Sequence, residues 1–138
     1  MSGTDWLVFL HVLSAVVLVG ALTALWALVL ATRPAAPVIT AGSAMQVGRI
    51  WGPLVGVGLV GTIVFGIWLA LVDDGYELWD GWIIAALVLW AFAGWAGGLA
   101  GREFRDPVAG RPRGIRYQAL SSLAVLVILV LMIWKPGA

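Results

Sequence analysis

From Trp6 to Ala31 the chain reads WLVFLHVLSAVVLVGALTALWALVLA, an apolar run without Asp, Glu, Lys or Arg. A helix needs roughly 20 mainly apolar residues to cross about 30 Å of hydrocarbon, and this run is longer than that. Strands of a membrane barrel alternate in polarity, and this run does not. It lacks the basic start of a secretory leader and outruns a leader's apolar part, so we expect it to remain as a span.

Three further runs have the same character: residues 50–72, 79–100 and 115–134. Their only charged residues, Asp80 and Arg116, lie at their edges. The expected fold class is therefore all-α: one polytopic membrane domain over residues 1–138, a four-transmembrane-helix bundle. The short connections favour up-down-up-down order. Composition supports the reading. Hydrophobic residues make up 62% of the chain and charged residues 11%, against about 45–50% and about 25% in soluble domains. A water-soluble fold of this size could not hide so much apolar surface. Cysteine is absent, which excludes disulfides and thiolate chemistry.

Arg and Lys orient the spans. The loop after the first span is framed by Arg33 and Arg49, and the loop after the third carries Arg102, Arg105, Arg111, Arg113 and Arg116. The loop between spans two and three, Asp73 to Asp80, is acidic. We expect a multi-pass protein of the cell membrane with cytoplasmic Arg-rich loops and both termini outside. Trp6, Trp68, Tyr76, Trp79, Trp82 and Trp134 then fall near the outer interface, where amphipathic rings are favoured. The Arg-rich loop should meet anionic lipid. It is too short to suggest nucleic acid, and the acidic loop is a weak calcium signal.

Gly48, Gly52 and Gly56 repeat every four residues in the second run, as do Gly94 and Gly98, and Gly97 and Gly101, in the third. Such spacing lets helix backbones approach closely in lipid, within one chain or between subunits, although Gly is common in membrane helices anyway. Pro53 should kink the second helix, which would open a cavity toward the outer side. Thr40 is placed to cap an extension of that helix.

His11 is the only histidine, about 9 Å along the helix from Asp5. An ionisable residue inside a span is a functional candidate by default: neutral imidazole can ligate haem iron or relay a proton. The bland reading is a neutral histidine bonded to a neighbouring helix or to interfacial water. Ser14, one turn on, can bond the ring or the backbone. Met132 lies at a comparable depth in the fourth span, and His/Met is a known haem ligation type; ordinary packing explains a methionine equally well. Lys135, the only lysine, can snorkel to headgroups, or meet the acidic loop or an anionic group such as a haem propionate.

Four stretches carry a family resemblance. The first span opens WLVFLHVLSAVVLVGA (residues 6–21), the second ends GTIVFGIWL (61–69), the third opens WDGWI (79–83), and the chain closes MIWKP (132–136). Together they resemble a bacterial family of small predicted integral membrane proteins with a domain of unknown function. Its members have four helices, an early first-helix histidine, a Gly-Ile-Trp-Leu-like stretch and a terminal Lys-Pro. That family is distantly similar to the membrane domain of copper-resistance protein D and to HemJ-type protoporphyrinogen oxidase. The resemblance implies a haem or porphyrin role carried by His11, with haem b as cofactor. The chain departs from the HemJ-type pattern. Its first Arg after His11 is Arg33, Trp82 is followed by Ile83, Ile84 and Ala85 rather than a lysine, and residues 117–122 read YQALSS.

Three functions remain open at this point. One is a haem- or porphyrin-associated redox protein using His11, with Met132 and Lys135 at the same site. The second is a non-catalytic membrane subunit or assembly factor, held in a homo-oligomer or on a membrane partner by its glycine ridges. The third is a small transporter or channel, for which the spans offer no polar stripe.

Overall fold

The structure is a computed structural model that describes residues 2–35, 39–72, 77–106 and 108–136. Four helices account for nearly all of it: α1 (Gly3–Ala31), α2 (Ala41–Val72), α3 (Gly81–Glu103) and α4 (Arg111–Trp134). Each is long and apolar enough to cross a membrane.

Local chemistry sets the helix ends. The Asp5 N–H donates to Ser2 Oγ (3.3 Å) and the Ser2 N–H to Asp5 Oδ2 (2.7 Å). This reciprocal capping box satisfies donors that the first turn otherwise leaves orphaned. α2 begins at Ala41, well before the apolar run at Ile50. The Thr40 hydroxyl accepts from the Ser43 N–H at 3.2 Å, which starts the helix in its polar approach. α3 starts at Gly81, just inside the expected span, and α4 starts at Arg111 with Pro112 in its first turn. In the α3–α4 loop, Asp106 Oδ1 accepts from the N–H groups of Val108 and Ala109. Those two bonds hold its carboxyl below the usual carboxylate range.

Helices adjacent in sequence pair most closely, α1 with α2 and α3 with α4. Along the first seam small residues of α2 meet side chains of α1. A Cβ on Gly58 would lie 2.7 Å from Leu18, one on Gly61 would strike Ser14 Oγ, and one on Gly66 would come within 2.9 Å of the His11 ring. In the second hairpin Ala93, Ala96 and Ala100 are buried along one face of α3. Ser121 Oγ donates to the Ala93 carbonyl (2.9 Å), and Phe104 covers Gly114.

Fewer groups join the two hairpins. Leu18, Leu22, Leu59, Ala93, Ala124 and Val125 form the shared core. Trp90 Nε1 donates to the Leu59 carbonyl (2.8 Å) and Trp26 Nε1 to Ser122 Oγ (2.9 Å). Arg111 Nη1 donates to Thr32 Oγ1 (2.9 Å) and its Nη2 to the Val29 carbonyl (2.7 Å). A cation thus sits at the carbonyl end of α1, where the helix dipole favours it.

Several expectations need correction. Of the two contacts the glycine spacing left open, the one within the chain is not made by Gly48, Gly52, Gly56, Gly94 or Gly98, since a Cβ on any of them would meet open space. Gly56 and Gly58 are two residues apart, so they face nearly opposite sides of α2, and it is the Gly58 side that meets α1. Of the tryptophans expected near the outer interface, Trp82 packs inside the bundle, whereas Trp6, Trp68, Trp79 and Trp134 are exposed. Tyr76 and residues 73–75 of the acidic loop lie outside the described residues. Pro53 borders a cavity at the Arg-rich end rather than at the end bearing the termini.

Candidate functional site

The polar groups of α1 and α2 show how the bundle treats a hydroxyl in an apolar setting. Ser14, Thr23 and Thr62 donate to the carbonyls of Leu10, Val19 and Gly58, each four residues back. Ser14 therefore bonds backbone rather than the His11 ring. Every one of these donors is satisfied locally, as a low-dielectric environment demands.

His11 has no such local outlet and reaches across the seam. Its Nδ1 lies 2.9 Å from the Thr62 carbonyl oxygen. A carbonyl only accepts, so Nδ1 carries a proton, and in the neutral imidazole Nε2 then keeps its lone pair. Gly66, one turn beyond Thr62, makes room for the ring. A side chain there would push the imidazole off the carbonyl. Backbone acceptors of this kind fix the tautomer and orientation of metal-ligating histidines.

His11 borders a cavity of about 270 Å³ at the end of the bundle that bears the termini. Met132 and Lys135 from the end of α4 line the same cavity, together with Gly66, Trp82 and Trp90. The three residues singled out from the sequence, far apart in the chain, thus share one space. Lys135 reaches it through an unusual backbone. Its φ of 40° is left-handed, a conformation mostly left to Gly or Asn at helix ends. Its N–H closes α4 on the Leu131 carbonyl (2.9 Å), and its ammonium lies 6.0 Å from the centre of the Trp82 ring.

Thr62, Gly66 and Trp90 were not anticipated as site residues. A carbonyl acceptor leaves no mark on the residue type that carries it. The signal for Gly66 was its place in the Gly-Ile-Trp-Leu stretch.

A second, larger cavity of about 1090 Å³ opens between the hairpins at the Arg-rich end. Arg49, Arg102, Arg105 and Arg111 line it, with Gln118 of α4 and the glycines Gly48, Gly52, Gly56, Gly94 and Gly98. Among the described residues no Asp or Glu lines it.

Comparison with known proteins places residues 5–99 in the family described as predicted integral membrane protein, DUF2269. No curated protein and no solved structure matches the chain.

Proposed function

This chain belongs to the DUF2269 family of predicted integral membrane proteins, and from that premise we propose that it is a haem- or porphyrin-associated redox protein whose site is the His11 cavity. The observation that carries the reading is the Nδ1 bond from His11 to the Thr62 carbonyl, which leaves Nε2 as a ready ligand on a fixed ring. The donor set fits a haem. His11 offers a nitrogen and Met132 a thioether in the same cavity, a known haem ligation pair, and Lys135 lines that cavity too. The cavity lies just below the roughly 300–1,000 Å³ of enclosed small-molecule pockets, so part of a macrocycle would extend through its open side. When bound, the haem supplies one-electron chemistry. The residues of the chain would hold it: Thr62 and Gly66 set the imidazole plane, and Trp82 and Trp90 wall the same cavity. In this reading both Arg-rich loops are cytoplasmic and the site faces the outer half of the membrane.

The test is an absorption spectrum, oxidised and reduced, of protein purified from haem-supplemented cells beside His11→Ala. The expected result is a Soret band near one haem per chain that disappears in the variant. A colourless wild type under those conditions, or an unchanged band in His11→Ala, would overturn the reading. The first outcome would favour a non-catalytic subunit, with His11 as a packed polar residue.

A further inference from the structure

The cavity at the Arg-rich end is unrelated to the histidine and has its own chemistry. Its mouth carries Arg49 from α2, Arg102 from the end of α3 and Arg105 from the connection after it, with Arg111 from the start of α4. Arg111 is committed to the end of α1 through Thr32 and Val29, whereas Arg49, Arg102 and Arg105 are exposed. Deeper in, the walls turn apolar, with Leu22, Leu25, Val55 and Leu59. Gly52 and Gly56 on one side and Gly94 and Gly98 on the other line a slot that, among the described residues, no side chain enters to within 4 Å of where a Cβ would sit.

One buried group is left incomplete there. Gln118 is 3% exposed, lines the cavity, and its Nε2 has no hydrogen-bond partner. A buried amide donor without an acceptor costs about 1–3 kcal/mol. Gln118 stands two turns along α4 from Arg111, about 10 Å deeper. Cations at the mouth, an orphan donor two turns in and an apolar slot beyond match one kind of molecule. It has an anionic phosphate, ester oxygens a few bonds further on, and a hydrocarbon chain.

We propose that this cleft is a binding site for an anionic phospholipid, with the phosphate among Arg49, Arg102 and Arg105, an ester oxygen accepting from Gln118, and an acyl chain in the glycine-lined slot. Basic pockets between membrane helices are suited to such headgroups. Charge complementarity selects this occupant over a second copy of the chain, whose matching cleft would present the same positive charge.

The test uses the full chain in detergent and native mass spectrometry, with phosphatidylglycerol, phosphatidylcholine or inorganic phosphate added. The expected result is one phosphatidylglycerol retained per chain, little phosphatidylcholine and no phosphate. Arg49→Gln with Arg105→Gln should lower that retention roughly tenfold. Gly52→Leu with Gly98→Leu, at positions where added atoms meet open space, should abolish it while the protein stays monodisperse and helical. Equal retention of both lipids would overturn the proposal. So would retention unaffected by the leucine pair, binding of phosphate alone, or a dimer that the leucine pair dissociates.

Discussion

At the scale of single residues, His11 stood out in the sequence because an ionisable group in a span is expensive to keep there. What holds it did not stand out. The Thr62 carbonyl belongs to a backbone that every residue shares, and Gly66 was marked only by its place in the Gly-Ile-Trp-Leu stretch. The sequence set out Met132 and Lys135 as two residues near one end of α4. Their meeting with His11 depends on how α4 packs against the rest, which no local pattern encodes. The fit of imidazole against Gly66 carries a direct consequence. With a Cβ only 2.9 Å from the ring, Gly66→Ala should destabilise the protein by about 1–3 kcal/mol, as overpacking does, and lower its melting temperature in detergent. Gly52→Ala, which meets nothing, should melt like wild type. A Gly66→Ala protein as stable as Gly52→Ala would mean that the ring is not seated as described.

At the scale of helices, existence and approximate length were legible because lipid imposes a minimum run of apolar residues. The inward faces were not. Each helix is apolar almost all round, and lipid and protein interior favour the same side chains, so periodicity does not mark the buried stripe. The glycine spacing was a real pattern with an ambiguous meaning. Close contacts fell at Gly58, Gly61 and Gly66 and, within the regular repeats, at Gly97 against Ser121, while Gly48, Gly52, Gly56, Gly94 and Gly98 were left open. The extension of α2 to Ala41 was readable from Thr40, since capping is local chemistry. The link from α4 back to α1 was not readable, because Arg111 looked like one topology signal among five arginines. It makes two hydrogen bonds to the end of α1, and bonds from charged donors contribute about 1.5–3 kcal/mol each. Arg111→Ala should therefore lower the unfolding midpoint in detergent, and Arg111→Lys should restore only part of the loss because an ammonium cannot fork. Full stability of Arg111→Ala would show that the bonds carry no weight.

At the scale of the whole molecule, four spans place the 77–80 and 102–106 connections at opposite ends. The absence of cysteine makes this easy to check. Single Glu77→Cys and Val108→Cys proteins, treated in sealed cells with a membrane-impermeant maleimide, should react oppositely. The 77 position should label from outside and the 108 position only after the membrane is opened. Labelling of both from one side would overturn the four-span fold, and a reversed pattern would overturn only the orientation.

The close pairing of helices adjacent in sequence, with fewer ties across the middle, also bears on how the protein is made. α1 and α2 leave the ribosome first, and each already has its main neighbour before α3 is synthesised. The second hairpin can then pair within itself in the same way. Only the appearance of the start of α4 supplies the guanidinium that closes the end of α1. The contacts are those of two local pairings joined by one docking event, in which Arg111 of α4 completes the end of α1.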